Sequence, residues 1–486
     1  MHLPPMVALL AWIPIGALIF RFYPIRIAVL ADFLIGWSVL PGADYVAANG
    51  PFPWWILPVS LPGSHFLTKA ICLGCSAIAG VVLFHARELR QIRIAGGDVP
   101  VLLWCAAPIC ASFVNALSFW KSLAATAYLL GAWAVPYLLG RHFFRDRQAL
   151  LLAARAIVLA GLLYIPVCLV EIFAGPQLYF HLYGYQPFRW VGAHRYVGFR
   201  PIGFLEDGNQ LGIWMASATL VAVALWAQRE TPRIARIPIR WVALSLVAVT
   251  VMCQSAGAIV LLAVLLPLAL FGRRHSLRTG MAVLLGAAML FIALQFAHLI
   301  PWHELAQSNP IARDIANRLR SAGRGSFGWR LGRDESQMSI ALRDPLFGSG
   351  EWNWWRAGGI RPWDLWTLVF GMYGLAGVIP LAWILIGPIM RTVWVSARNA
   401  STPFGDVSVA LAGLLAMTAL DSMLNAAIIL PYLIVAGVLS PGRSVLPAGS
   451  SQPPDSGIRQ RRAVVLRAEP VRSAGPKSGQ SRHQAT

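Results

Sequence analysis

Apolar residues run through this chain in long blocks, not in the alternating or amphipathic stripes of a soluble fold. Thirteen blocks stand out, near 6–20, 26–41, 66–84, 99–116, 120–140, 149–173, 209–227, 240–253, 257–271, 279–298, 364–389, 405–420 and 424–440. About 18 or more apolar residues cross a hydrocarbon core of roughly 30 Å as a helix. A membrane barrel would instead alternate over segments of about ten residues. The pattern predicts an all-α polytopic membrane protein of about 12–13 transmembrane helices. The first block lacks a basic leader and a small-residue cleavage site, so it reads as a retained helix.

Orientation comes from the connectors. Those at 85–93, 141–148, 229–240, 272–278 and 391–398 are arginine-rich, and the positive-inside rule assigns them to the cytoplasm. Alternation then puts the N-terminus and 42–65, 117–119, 174–208, 254–256, 299–363 and 421–423 outside. The expected organisation is a transmembrane domain over 1–440 with outer loops at 174–208 and 299–363. Residues 441–486 are rich in Pro, Gly, Ser, Gln and Arg. With few large apolar side chains they read as a disordered basic cytoplasmic tail.

Composition narrows the class. Of 486 residues 57% are hydrophobic and 12% charged, more apolar surface than one soluble core uses. The net charge of +20 would suit nucleic acid, but the basic residues sit in connectors and tail. The bilayer, and no nucleic acid, is the expected partner. All six cysteines fall in apolar blocks. Cys72 and Cys75 therefore read as buried structural thiols and not as a redox or metal pair. No metal and no cofactor is expected. Walker A, HExxH and GxSxG patterns do not occur, and Ser118 to Lys121 matches SxxK only as a short chance pattern.

Two outer loops break the charge rule. The first carries Arg189, Arg195 and Arg200; the second carries Arg313, Arg318, Arg320, Arg324, Arg330, Arg333, Arg343, Arg356 and Arg361. Guanidinium is planar, always charged and grips phosphate oxygens bidentately, which suits an anionic ligand. A long loop also translocates regardless of its charge. In "AHRYVGFRPIGFLEDGNQLGIWMA" (193–216), Arg195 and Arg200 press against a helix start and are the leading anion contacts. Arg330 and Arg333 are expected to assist from the second loop. Lys121 either anchors a helix at the interface or touches phosphate. Asp207 or Asn209 is expected to cap the helix near Leu211. Glu206 is left to cap, to pair with an arginine, or to take a proton from a hydroxyl. His181, His194 and His303 fall in outer loops with no partner legible in sequence.

A family resemblance enters at "IALRDPLFGSGEWNWWRAGGIRPWDLWTLVFGMYGLAG" (340–377). Ala341, Leu342, Pro345, Leu346, Gly348 and Gly350, followed by Gly374 and Gly377, form a pattern similar to that of the bacterial O-antigen ligase and polymerase superfamily. "CQSAGA" (253–258) and the R-P-x-G-F-x-E-D segment at 200–207 also resemble it. The resemblance implies a metal-independent glycosyltransferase of the helical membrane type in the bacterial inner membrane. Its donor would be a polyprenyl-pyrophosphate-linked glycan at the periplasmic face, and its acceptor a glycan or lipid A core. Where the family has a histidine-asparagine pair, this chain has Trp363 and Asp364. Trp cannot accept a proton, so a catalytic role would fall to Asp364, which otherwise caps a helix. Trp352, Trp354, Trp355, Trp363 and Trp366 read first as an interfacial belt, with stacking on sugar faces as the alternative. The rival function is a glycan transporter or flippase. Transporters keep charges within mid-membrane helices, and Asp32 is the clearest such acid here.

Overall fold

A computed structural model describes residues 2–42, 67–90, 92–186, 194–229, 231–271, 275–296, 308–310, 313–314, 317–318, 337–359, 361–398, 405–426 and 428–440. The expected disordered tail at 441–486 lies outside them. The described chain is mostly helical: α1 Pro5–Phe22, α2 Ile25–Val39, α3 Lys69–Phe84, α4 Ala86–Leu89, α5 Val99–Val114, α6 Phe119–Leu129, α7 Val135–Phe143, α8 Arg147–Ala174, α9 Leu178–Tyr183, α10 Gly208–Ala227, α11 Ile239–Met252, α12 Ala256–Phe271, α13 His275–Phe296, α14 Leu365–Arg398, α15 Gly405–Asp421 and α16 Tyr432–Leu439. Among the described residues, six spans are long and apolar enough to cross a membrane: Pro5–Phe22, Gly96–Val114, Phe119–Phe143, Arg147–Ala174, Gly208–Ala227 and Leu365–Val395. The protein is membrane-embedded.

Prolines account for two of the departures from the expected blocks. The block at 120–140 is interrupted by a π-helical turn, Leu130–Ala134, ahead of Pro136. Proline has no N–H and its ring crowds the carbonyl four residues back, so the helix widens locally. The last block was expected over 424–440, yet α16 starts at Tyr432, after Pro431. The block at 364–389 continues to Arg398, so the expected connector 391–398 is helical. The connector 229–240 contains a hairpin of β1 Arg233–Ile234 and β2 Ile237–Pro238. Ala235 and Arg236 both have positive φ, as a type I′ turn requires of its two central residues.

The most enclosed helix is α10, buried along nearly its whole length. It is apolar on all sides, the pattern of a helix meant for the centre of a bundle. α8, α11, α12 and α15 pack around it. α3 crosses the π-helical turn at Gly74, where a Cβ would strike the Gly131 carbonyl. The glycine between Cys72 and Cys75 therefore serves close backbone approach. The cysteines are free thiols, five buried or half-buried and Cys110 exposed on α5.

Contacts near the helix ends distinguish two ends of the bundle. At one end Arg26 pairs with Asp146 at 2.6 Å and Arg141 with Asp98 at 2.9 Å. There too Arg391 Nη1 donates to the carbonyls of Leu439 and Ser440. At the other end His2 and Leu3 rest on α9, through His2 with the His181 carbonyl and the Leu3 N–H to the Leu182 carbonyl. The chain start and the loop at 174–208 thus share one end of the bundle.

Candidate functional site

The loop leading into α10 is fixed by α8. Glu171 Oε2 accepts the N–H groups of Ile202 at 2.7 Å and Gly203 at 2.6 Å, and Tyr164 Oη accepts that of Phe204 at 2.7 Å. Hydrogen bonds to a charged acceptor contribute about 1.5–3 kcal/mol each. Gly203 takes a left-handed φ of 61°, and a Cβ there would strike Tyr164. Upstream, His194 and Phe199 form an antiparallel bridge. Gln254, from the "CQSAGA" turn, imitates a neighbouring strand: its Nε2 donates to the Val197 carbonyl at 2.7 Å and its Oε1 accepts the Val197 N–H at 3.3 Å. Two segments singled out separately in sequence are thereby joined.

Asp207 is the cap, its Oδ1 accepting the N–H groups of Asn209 and Gln210 at 2.9 and 2.7 Å. Asn209 instead receives Arg200, whose Nη2 donates to Asn209 Oδ1 at 2.6 Å and to Ser255 Oγ at 3.4 Å. The Arg200 stem lies over Gly208, where a Cβ would stand 2.5 Å from Arg200 Nε. A guanidinium is thus laid across the positive end of α10, where a bound anion would feel both. Arg195 is half-buried, and among the described residues its buried Nε meets no hydrogen-bond acceptor.

Glu206 neither caps α10 nor pairs with Arg200. Its side chain is buried, and its backbone N–H donates to Gln210 Oε1 at 3.1 Å. Burial pushes its carboxyl up to about 8; Lys69 and Arg361 oppose that shift, while Asp207 adds to it. Lys69 and Arg361 are the cations that sequence reasoning did not single out. Lys69, the first residue of α3, is fully buried. Its Nζ donates to the Trp37 and Phe204 carbonyls, both at 3.4 Å, and sits 4.5 Å from the centre of the Trp37 ring. It is a lone lysine opening an apolar block, a signal the sequence did carry. Arg361 is one of nine arginines in its loop, and nothing in the sequence separates it from the others.

The glycine motif has a mechanical explanation. α14 is broken at Gly374, whose φ is 58°. Segment 345–350 docks on the break: Ser349 and Gly350 N–H donate to the Gly371 and Met372 carbonyls, and Leu375 and Ala376 N–H donate to the Pro345 and Leu346 carbonyls. Backbone groups freed by the break are satisfied inside the protein, which a membrane helix demands. Asn115 Nδ2 holds the segment from α5 by donating to the Gly348 carbonyl at 2.8 Å.

The remaining expected site residues are less assembled. Asp364 caps α14, its Oδ1 accepting the Thr367 N–H at 2.7 Å. Lys121 is exposed in the first turn of α6. Arg330 and Arg333, like His303, lie outside the described residues. His181 is exposed, and His194 stands edge-on to Phe199. Among the described residues no group of three His, Cys, Asp or Glu side chains is placed to hold a metal. Comparison with known proteins found no matching family model, no similar curated protein and no similar solved structure.

Proposed function

We propose that this chain is a membrane glycosyltransferase that ligates or polymerises a polyprenyl-pyrophosphate-linked glycan at the periplasmic face of the bacterial inner membrane. The observation that carries the reading is the arrangement at the α10 N-terminus: Arg200 laid across the helix end and bonded to Asn209, with the buried Glu206 two residues before Gly208 and under the charges of Lys69 and Arg361. An acceptor hydroxyl attacks the anomeric carbon of the donor. Its oxygen forms the new glycosidic bond, the bond from that carbon to pyrophosphate breaks, and polyprenyl pyrophosphate departs with the electron pair. Glu206 takes the hydroxyl proton as general base. Arg200 and Arg195 stabilise the charge growing on the diphosphate, the task of preorganised cations in such a step. Arg330, Arg333 and Lys121 are further candidate diphosphate contacts by residue type alone. Asp364 holds the start of α14 as its cap.

The transporter reading has one observation of its own. Asp32 is fully buried within α2, held by Trp12 Nε1 at 2.9 Å and Ser76 Oγ at 2.8 Å, with no cation beside it among the described residues. Reconstitution separates the two. Full-length protein in vesicles with a polyprenyl-pyrophosphate-linked glycan and an acceptor should release polyprenyl pyrophosphate. Glycan crossing the bilayer without that release would make the chain a transporter.

A further inference from the structure

Tryptophans fall into two groups by what they touch. Trp120, Trp241, Trp383 and Trp394 are 75, 55, 60 and 56% exposed on the outer surface of the helices, as an interfacial belt would be. The tryptophans between Gly350 and Thr367 are different. Trp354 and Trp366 are buried, and Trp354 occupies the space a Cβ at Gly371 would need. Trp352, Trp355 and Trp363 are half-buried, and Trp352 and Trp363 meet one guanidinium. Arg361 Cζ lies 5.2 Å from the centre of the Trp352 ring and 5.7 Å from that of Trp363. Trp355 meets Trp352 edge-on, with centroids 6.1 Å apart and an interplanar angle of 80°. Its buried indole N–H has no acceptor among the described residues.

From the geometry we infer that Trp352, Trp355, Arg361 and Trp363 form a saccharide subsite that takes a pyranose ring of the glycan. Indole faces offer a flat apolar surface to the C–H face of a pyranose, and the guanidinium and the Trp355 N–H offer donors to its hydroxyls. The Arg361 charge is also felt at Glu206. The subsite rests on the transferase reading for its place in turnover, and on its own side chains for binding.

The test uses purified full-length protein in detergent with three probes: maltotriose, triacetylchitotriose and trigalacturonic acid. Binding is read by calorimetry and by saturation-transfer NMR. At least one probe should bind. Trp352→Ala and Trp363→Ala should each weaken it about tenfold, the scale of losing one aromatic contact. Trp363→Phe should stay within about threefold of wild type, and the belt variant Trp394→Ala should match it. Failure of all three probes to bind, or equal binding by every variant in monodisperse preparations, would overturn the subsite. Tryptophan-dependent binding without release of polyprenyl pyrophosphate in vesicles would keep the subsite and sink the transferase. Release that is indifferent to Trp352→Ala and Trp363→Ala would do the reverse.

Discussion

Gly348 and Gly374 meet backbone to backbone: a Cβ on Gly348 would stand 2.7 Å from the Gly374 nitrogen, and both residues have φ near 60°. This contact closes the broken helix α14 over segment 345–350.

Alanine at either glycine should therefore be severely destabilising. The left-handed conformation alone costs a side-chain-bearing residue about 1–2 kcal/mol, and the new Cβ also meets backbone that cannot swing aside. Gly348→Ala and Gly374→Ala should lower the melting temperature in detergent sharply. Gly359→Ala is the control, since it shares the positive φ but has open space around it. Equal melting of all three would remove the docking argument.

Glu171 is expected to matter for order in the loop, not for chemistry. Glu171→Ala frees the N–H groups of Ile202 and Gly203, at about 1–3 kcal/mol for each buried donor left unmet. Amide exchange across residues 199–206 should rise, while α1 to α3 exchange as in wild type. Unchanged protection in the loop would mean that Tyr164 and Gln254 hold it unaided.

For Arg200, turnover should separate charge from shape. Arg200→Ala should cut transfer by about two orders of magnitude, the scale of losing one preorganised donor to developing charge. Arg200→Lys should recover little, because an ammonium cannot span Asn209 and a diphosphate as a planar fork does. Wild-type turnover in either variant, at matched expression, would remove Arg200 from the site.

Glu206 makes stability and activity respond to pH in opposite senses. Burial holds its carboxyl at about 8 in the folded chain against an ordinary 4.5. The folded state binds the extra proton between those values, so this contribution to stability is full below the lower one and declines as pH rises towards the upper. Glu206→Gln should thus gain melting temperature relative to wild type between about pH 5 and 9. Base catalysis needs the ionised form, so kcat/KM should climb about tenfold per pH unit below the upper value and then level. A variant that parallels wild type in both profiles would show that Glu206 does not titrate there.

Much of the site was legible one residue at a time. Arg200 and the Glu206 to Asn209 run stood out because charges stacked before an apolar block are expensive unless they cap a helix or bind something. The division of labour was not legible: Asp207 and Asn209 are equally plausible caps by residue type, and side-chain geometry alone gives the cap to Asp207 and the arginine to Asn209. Lys69 and Arg361 lie 137 and 155 residues from Glu206 in the chain, and no local spacing links them to it. Asp364 was readable as a helix start after Pro362, and it is one.

By itself the sequence determined a helical membrane protein and approximate helix positions. Those follow from apolar block length and from the cost of unpaired backbone groups in lipid, which act along the chain. Only the tertiary structure decided that Gln254 bridges to Val197, that Gly348 meets Gly374, and that the charges of Lys69 and Arg361 act on Glu206. These relations depend on how helices pack across the bundle, and a buried charge finds its partner through space and not through sequence.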